Sequence, residues 1–327
     1  MSHCRVNQQP IPRRQCGVAL ITVMLVVFIA TVIATELATR VNFHIQRASH
    51  QHAQAQAYQF ALGGEELIRQ LLYQDNEKTS YDHLNESWSA LEPQYAFEQG
   101  QLTIKVQDLH ARLNINNLLN NKSKINNEVF QQFQRLFELL SLEPSLLSVL
   151  VDWLDKDTTP IAQDSEDSGY LSLEKPYRAA NAPLVHLSEL ALLKGWDHDT
   201  VTTLAPFITA LPEKTLINVN TAPAEVLAAL VKGLPLLGAE SLVASRGKDG
   251  FDTMDAFVTH SSLAGLEVKT TQATINSAYF ALYTESQFAG RTIKLQTRLH
   301  RNPTNGKIRL ISRDRSSKYL WPEATAE

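Results

Sequence analysis

Residues 18 to 35, VALITVMLVVFIATVIAT, hold no charge, and continuing through Glu36 to Ala38 gives a run of 21 residues. At 1.5 Å rise per residue such a helix is about 30 Å long, enough to cross the core of a bilayer. From Arg40 to Tyr73 there is no proline, and the only glycines are Gly63 and Gly64. Ala53, Ala57, Phe60, Ala61, Leu67, Ile68, Leu71 and Leu72 recur there at mixed steps of three and four, as one face of a helix requires. The pattern predicts one long helix, half in a membrane and half packed on a globular body.

Around Tyr95 to Val106 the period becomes two. Leu102, Ile104 and Val106 alternate with Thr103 and Lys105, and Gln99-Gly100 just before them predicts a hairpin. Alternation returns near the C-terminus at Ile293, Leu295, Thr297 and Leu299, followed by turn residues Asn302 to Gly306 and a run from Ile308 to Ile311. Tyr279 to Tyr283 reads as a further strand. Strands at both ends of the body predict one sheet interrupted by a large insertion, about residues 112–275. Its best helices are Glu128–Leu140, Pro144–Leu154, Leu187–Lys194, Asp199–Ile208, Ala222–Val231 and Ala239–Arg246. Thr221 or Asn220 is the expected cap before Ala222-Pro223.

Composition adds limits to this outline. With 44% hydrophobic residues and a net charge of -4, the chain folds rather than remaining disordered, and it offers no global electrostatic case for nucleic acid. Its length suggests two folded units. The two cysteines, Cys4 and Cys16, precede the apolar run, so no disulfide framework holds the body. Arg5, Arg13 and Arg14 also precede it with no acid among them, which places residues 1–17 in the cytoplasm and the body across the membrane. No GxGxxG, Walker A, GxSxG or HExxH motif occurs. His44, His50 and His52 lack an acidic neighbour and read as solvated helix residues.

Two stretches carry candidate chemistry. Asp152, Asp155 and Asp157, then Asp164, Glu166 and Asp167, place six acids in a window with one lysine. Such a set repels itself unless it is solvated, protonated or bound to a cation; calcium, which takes six to eight oxygens in flexible geometry, suits it. An EF-hand spacing is only superficial, because Pro160 stands where that loop needs glycine. Asp155 and Glu166 also form a nominal acid/base pair, but nothing supplies a substrate pocket. The second stretch, Ile217 to Phe257 with its turn from Gly233 to Gly238, resembles a helix-hairpin-helix unit. Such units bind DNA through backbone N–H groups at a tight glycine hairpin. Here the turn is long and apolar and bases are few, which favours a structural module over DNA binding.

Arg13-Arg14-Gln15-Cys16-Gly17, followed by Val18 to Thr22, resembles the cleavage region of type IV prepilins and type II secretion pseudopilins. The resemblance implies that a membrane peptidase cuts between Gly17 and Val18, that Val18 is N-methylated, and that the apolar helix is retained. Most members carry glutamate at the fifth mature position, where this chain has Thr22. A membrane carboxylate is expensive unless paired, so the usual glutamate suits a neighbouring subunit's N-terminal ammonium, and Thr22 cannot supply that pairing. Glu36 lies near the far interface and reads as a solvated helix end.

Together with Asp108 to Asn116, the aspartate cluster and Asn218-Val219-Asn220-Thr221-Ala222-Pro223, this start makes nearly the whole chain similar to the minor pseudopilin K family of type II secretion. The resemblance implies an α+β fold: a pilin-like long N-terminal helix on an antiparallel sheet, with an inserted helical domain of helix-hairpin-helix or SAM-like type. The implied organisation is a leader over 1–17, a transmembrane helix over 18–38, helix and first strands over 39–111, the insertion over 112–275 with its acidic loop at 152–170, and final strands over 276–327. It also implies structural calcium held by Asp155, Asp157, Glu166 and Asp167. Asp164 stands where the family has glycine and is either an extra ligand or a bystander; Asp152 either coordinates or caps. The function implied is non-enzymatic: a single-pass inner-membrane subunit with a periplasmic body, capping a pseudopilus with minor pseudopilins I and J after processing by prepilin peptidase. A membrane-anchored DNA-uptake protein is the alternative, and no nucleic-acid partner is expected on the first reading.

Overall fold

The computed structural model describes residues 16–91 and 94–315, so residues 1–15 of the expected leader lie outside them. Two compact units divide at Gln56/Ala57. In the first unit, helix α1 (Cys16–Lys78) begins and its side chains are exposed from Val18 through His52. An 18-residue window of mean hydropathy 2.8 makes it long and apolar enough to cross a membrane. The Thr22 hydroxyl is turned back to its own helix, 3.1 Å from the Val18 carbonyl and 2.9 Å from that of Ala19. Glu36 accepts from Arg40 Nε at 2.8 Å, one turn on. The acid of this segment is therefore matched within its own helix.

In the second unit α1 runs on as an amphipathic helix. Ala57, Ala61, Ile68 and Leu72 are buried on one face, whereas Leu67, read from sequence as part of that face, is exposed. Gly64 lies on the same face, where an added Cβ would sit 3.2–3.3 Å from Ile104, Thr284 and Leu102 side chains, tighter than ordinary packing. Its missing side chain lets the helix approach the sheet. Glu65, buried nearby, accepts from Arg313 Nε at 2.9 Å and Nη2 at 2.8 Å, and from the Thr297 hydroxyl. That bidentate pair fixes the helix against the sheet at one register.

Strands β1 (Tyr95–Phe97) and β2 (Gly100–Asp108) form the expected hairpin. The insertion then proceeds through β3 (Leu113–Asn114), α2 (Asn127–Leu139), α3 (Ser145–Leu154), α4 (Asp167–Leu171), α5 (His198–Leu204), β4 (Ile208–Thr209) and β5 (Ile217–Asn218). It continues through α6 (Ala224–Leu230), α7 (Leu236–Ser245), α8 (Met254–Val258) and β6 (Ala273–Thr274). The chain returns to the sheet as β7 (Tyr279–Phe288), β8 (Arg291–Arg301) and β9 (Ile308–Asp314). The sheet order is β1-β2-β7-β8-β9, antiparallel throughout, so residues 109–278 leave from one strand and return in its neighbour. Hydrogen bonding between β2 and β7 closes the sheet across the insertion and makes it an insertion in space as well as in sequence.

Helices α2, α3, α6 and α7 bury Phe133, Leu136, Leu150, Leu227 and Leu242 in one core. Arg135 supports it by donating to the Ala229 carbonyl at 2.8 Å and more weakly to that of Leu230, at the C-terminal end of α6, where a cation is favoured. Local outcomes differ from the sequence reading in several places, among them α5, which ends at Leu204 and gives way to a 3-10 turn at Pro206, so that Ile208 is in β4 rather than in the helix. Leu187–Leu192 is a 3-10 helix, opened by His186 and closed before Gly195 at φ +81°. Helix α7 begins at Leu236, after Pro235 and three residues before the expected Ala239, and ends at Ser245. Pro223, rather than Thr221 or Asn220, occupies the cap of α6, because both polar side chains are engaged elsewhere. The two-residue parallel pairings β3–β4 and β5–β6 are too short to leave a pattern.

Where the insertion joins matters for function. At one end of the sheet Phe60 of α1 stacks on Phe97 and meets Phe288, beside the two hairpin turns. At the other end, Asp75 near the close of α1 pairs with Arg301 at the end of β8. The insertion enters and leaves at this second end, where β2 finishes and β7 starts.

Candidate metal centre

The acidic loop grows out of the end of α3. Asp152, in the last turn, has no exposed surface and accepts from the Ile161 N–H at 3.0 Å, the Ala162 N–H at 2.9 Å and the Ser165 hydroxyl. This single carboxylate draws the loop back over the helix that carries it. Asp164 then turns the chain at φ +56° toward α4. A Cβ on Gly169 would sit 2.0 Å from the Asp164 carbonyl oxygen, so glycine is required for α4 to pack beneath that turn. Below, Trp153, Tyr170 and Tyr177 form an aromatic floor, with Trp153–Tyr170 centroids 5.2 Å apart and Tyr170–Tyr177 5.3 Å apart.

These constraints bring Asp155, Asp157 and Glu166 together, with one oxygen from each within 4.8 Å of the others. Asp155 Oδ1 and both Glu166 carboxylate oxygens are buried without a well-formed hydrogen bond; the Asn181 amide lies near Glu166 but outside hydrogen-bond geometry. The sequence reading missed a fourth oxygen. Asn181 donates from its amide to the Asp157 carbonyl at 3.2 Å, and its buried Oδ1 is also without a donor. Asn181 lies well outside the acidic window and no spacing signal connects it; only the return of the chain does. Buried oxygens are normally hydrogen-bonded, so four orphans in one place need an explanation.

The other acids are used differently. Asp164 pairs with Lys194 at 2.9 Å, while Asp167 accepts from the Ala179 N–H at 3.1 Å and faces Arg178 at 3.7 Å. The nearby cations thus serve the outer acids and leave the inner three unmatched. Asp155 is pushed up to about 7, first by burial and then by the charges of Asp157, Asp152 and Glu166. Glu166 is also raised, by burial and then by Asp152, with the Asn181 amide offsetting part of the effect. A hard divalent cation fits this donor set, because it would supply a partner for every orphan oxygen and cancel the repulsion. Asp155, Asp157, Glu166 and Asn181 would hold it; Asp152, Asp164 and Asp167 hold the loop in shape.

The hairpin read as possible nucleic-acid machinery is built otherwise. Helices α6 and α7 meet at a turn with Gly233 at φ +82°; Lys232 beside it is the one base between Ala224 and Ser245, and Leu237 in the first turn of α7 is 78% exposed. Asn218 and Thr221 ahead of α6 are buried within the protein, not aimed outward.

Comparison with known proteins agrees with this architecture. Family models described as type II secretion system protein K match residues 111–213 and 217–276. The chain is 36% identical to the type II secretion system protein K of Pseudomonas aeruginosa, over 92% of this chain and 93% of that protein. It is 31% identical to the Klebsiella pneumoniae protein of the same name, over 76% and 81%. A chain in the crystal structure of the GspK–GspI–GspJ complex from the enterotoxigenic Escherichia coli type 2 secretion system superposes with a TM-score of 0.72. At 24% identity, covering 82% of this chain and 98% of that one, it shows a shared fold. None of these matches supports DNA uptake. With both halves of the insertion matched and relatives aligned across nearly the whole length, the chain belongs to the type II secretion system protein K family.

Proposed function

We propose that this protein is a non-enzymatic minor pseudopilin that caps the tip of a type II secretion pseudopilus, with minor pseudopilins I and J as partners. In this role it starts assembly of the filament that drives folded proteins through the outer membrane. The observation that carries the reading is where the insertion joins: at the end of the sheet where α1 finishes. A subunit with that end occupied leaves little room for another copy above it, and Thr22 offers no carboxylate to a neighbour's ammonium. The structural neighbour is a chain of a complex of GspK with GspI and GspJ, which supports the choice of partners.

In this reading prepilin peptidase removes residues 1–17 between Gly17 and Val18, Val18 is N-methylated, and residues 18–38 remain as a single inner-membrane anchor. The body stands in the periplasm. Residues 217–257 serve as a helix-hairpin-helix or SAM-like structural module. Calcium, held by Asp155, Asp157, Glu166 and Asn181, stabilises the insertion, a reading supported by the four orphan oxygens.

A strain lacking the protein should retain its secreted enzymes in the periplasm, measured by fractionation and immunoblot, and the full chain in detergent should co-purify with I and J. Normal secretion in that strain would sink the proposal.

A further inference from the structure

The stretch from Asn218 to Thr221 has a use that neither secretion nor nucleic-acid binding explains. The chain passes between sheet and insertion twice, after Asp108 and before Tyr279, and both crossings meet these residues. One oxygen of Asp108, Oδ2, accepts from the Thr221 hydroxyl at 2.5 Å, the Ser277 hydroxyl at 2.5 Å and the Asn218 amide at 3.1 Å. Its other oxygen accepts from the His110 N–H at 2.8 Å. Asn218 Nδ2 lies 2.8 Å from Ser277 Oγ and 3.2 Å from the Asp82 carbonyl.

From there the contacts continue to α1. The Ser277 N–H donates to Asp82 Oδ2 at 2.6 Å, Asp82 Oδ1 accepts from Arg301, and Arg301 Nη1 donates to Asp75 Oδ2 at 3.0 Å. Every side chain in this path, from Thr221 to Asp75, is buried. His110 closes the flank, with Nδ1 3.0 Å from the Leu216 carbonyl and Nε2 accepting from the Ala278 N–H at 3.2 Å. By contrast the nearby apolar cluster is small, with Leu109, Leu211, Tyr279, Ala281 and Tyr283.

Apolar surfaces tolerate sliding, whereas buried hydrogen bonds are satisfied in only one arrangement. We infer that Asn218 and Thr221, acting through Asp108 and Ser277, are positioning residues that fix the orientation of the insertion on the sheet. The Asp82–Arg301–Asp75 run extends this control to α1, so the insertion follows the helix.

The test uses the full chain in detergent with Cys4→Ser and Cys16→Ser, and spin labels at Thr292→Cys on the sheet and Lys232→Cys on the insertion. Pulsed electron–electron resonance should give one narrow distance distribution. In Thr221→Val, which keeps the shape and removes one hydroxyl, and in Asn218→Ala, the distribution should broaden about twofold or split, while the circular-dichroism spectrum is retained. Thr221→Ser should restore the narrow peak. A distribution as narrow as the parent's in Thr221→Val, whether or not the melting temperature falls, would overturn the inference. Should Asn218→Ala fail to fold, the near-isosteric Thr221→Val decides alone.

Discussion

Glu166→Gln separates the two effects of the acidic loop, because it removes a repelling charge and a metal ligand together. Without calcium, three inner carboxylates face one another and Asp155 is held at about 7, so taking away the Glu166 charge should leave the melting temperature unchanged or raise it. With calcium the sign reverses. At free calcium about 100-fold above its dissociation constant, the parent gains about 2.7 kcal/mol, equivalent to roughly 5–11 °C for a unit of this size. Glu166 supplies two of the four orphan oxygens and a full charge, so its loss should weaken binding by about 100-fold; the same calcium then gives only about 0.4 kcal/mol. Differential scanning calorimetry on chelated and calcium-loaded protein measures both increments, and terbium luminescence sensitised by Trp153 and Tyr170 reports the site directly. An identical calcium increment in parent and variant, or none in either, refutes the assignment.

Further outcomes follow from other contacts. Gly169→Ala drives a methyl group into the Asp164 carbonyl and should cost about 1–3 kcal/mol in urea unfolding, with loss of the calcium increment; a neutral result would mean the turn relaxes freely. Asp82 is pushed up to about 7 and Asp75 to about 6, in both cases chiefly by burial, above an unfolded value of about 3.9. The folded state then holds more protons between about pH 4 and 7, so this contribution to stability is fully present below that window and is lost as pH rises through it. Melting curves of calcium-saturated protein should show that fall, with a shallower slope in Asp82→Asn; equal slopes would exclude Asp82 as the source. Thr22→Glu should divert the subunit from the tip and reduce secretion, read by cross-linking to I and J, and unchanged assembly would remove the argument from the missing carboxylate.

Local periods and the available chemistry follow directly from the order of the residues. An apolar run of 21 residues has one economical conformation in a bilayer, and alternation at Leu102, Ile104 and Val106 has one in a sheet, so helix, strands and insertion were legible. The acids were legible too, because their mutual repulsion is a property of their spacing. Tertiary structure decided which of them meet. Asp152, Asp164 and Asp167 are spent on backbone N–H groups and cations, while Asn181 arrives from beyond the acidic window to stand beside Asp157 and Glu166. It also decided the role of Asn218 and of Thr221, which looks like a helix-start residue in sequence; both donate across the joint, Asn218 to Asp108 and Ser277 and Thr221 to Asp108. Hydrogen bonds between residues 59 to 113 positions apart leave no periodic trace, since only the closed sheet brings their partners within reach.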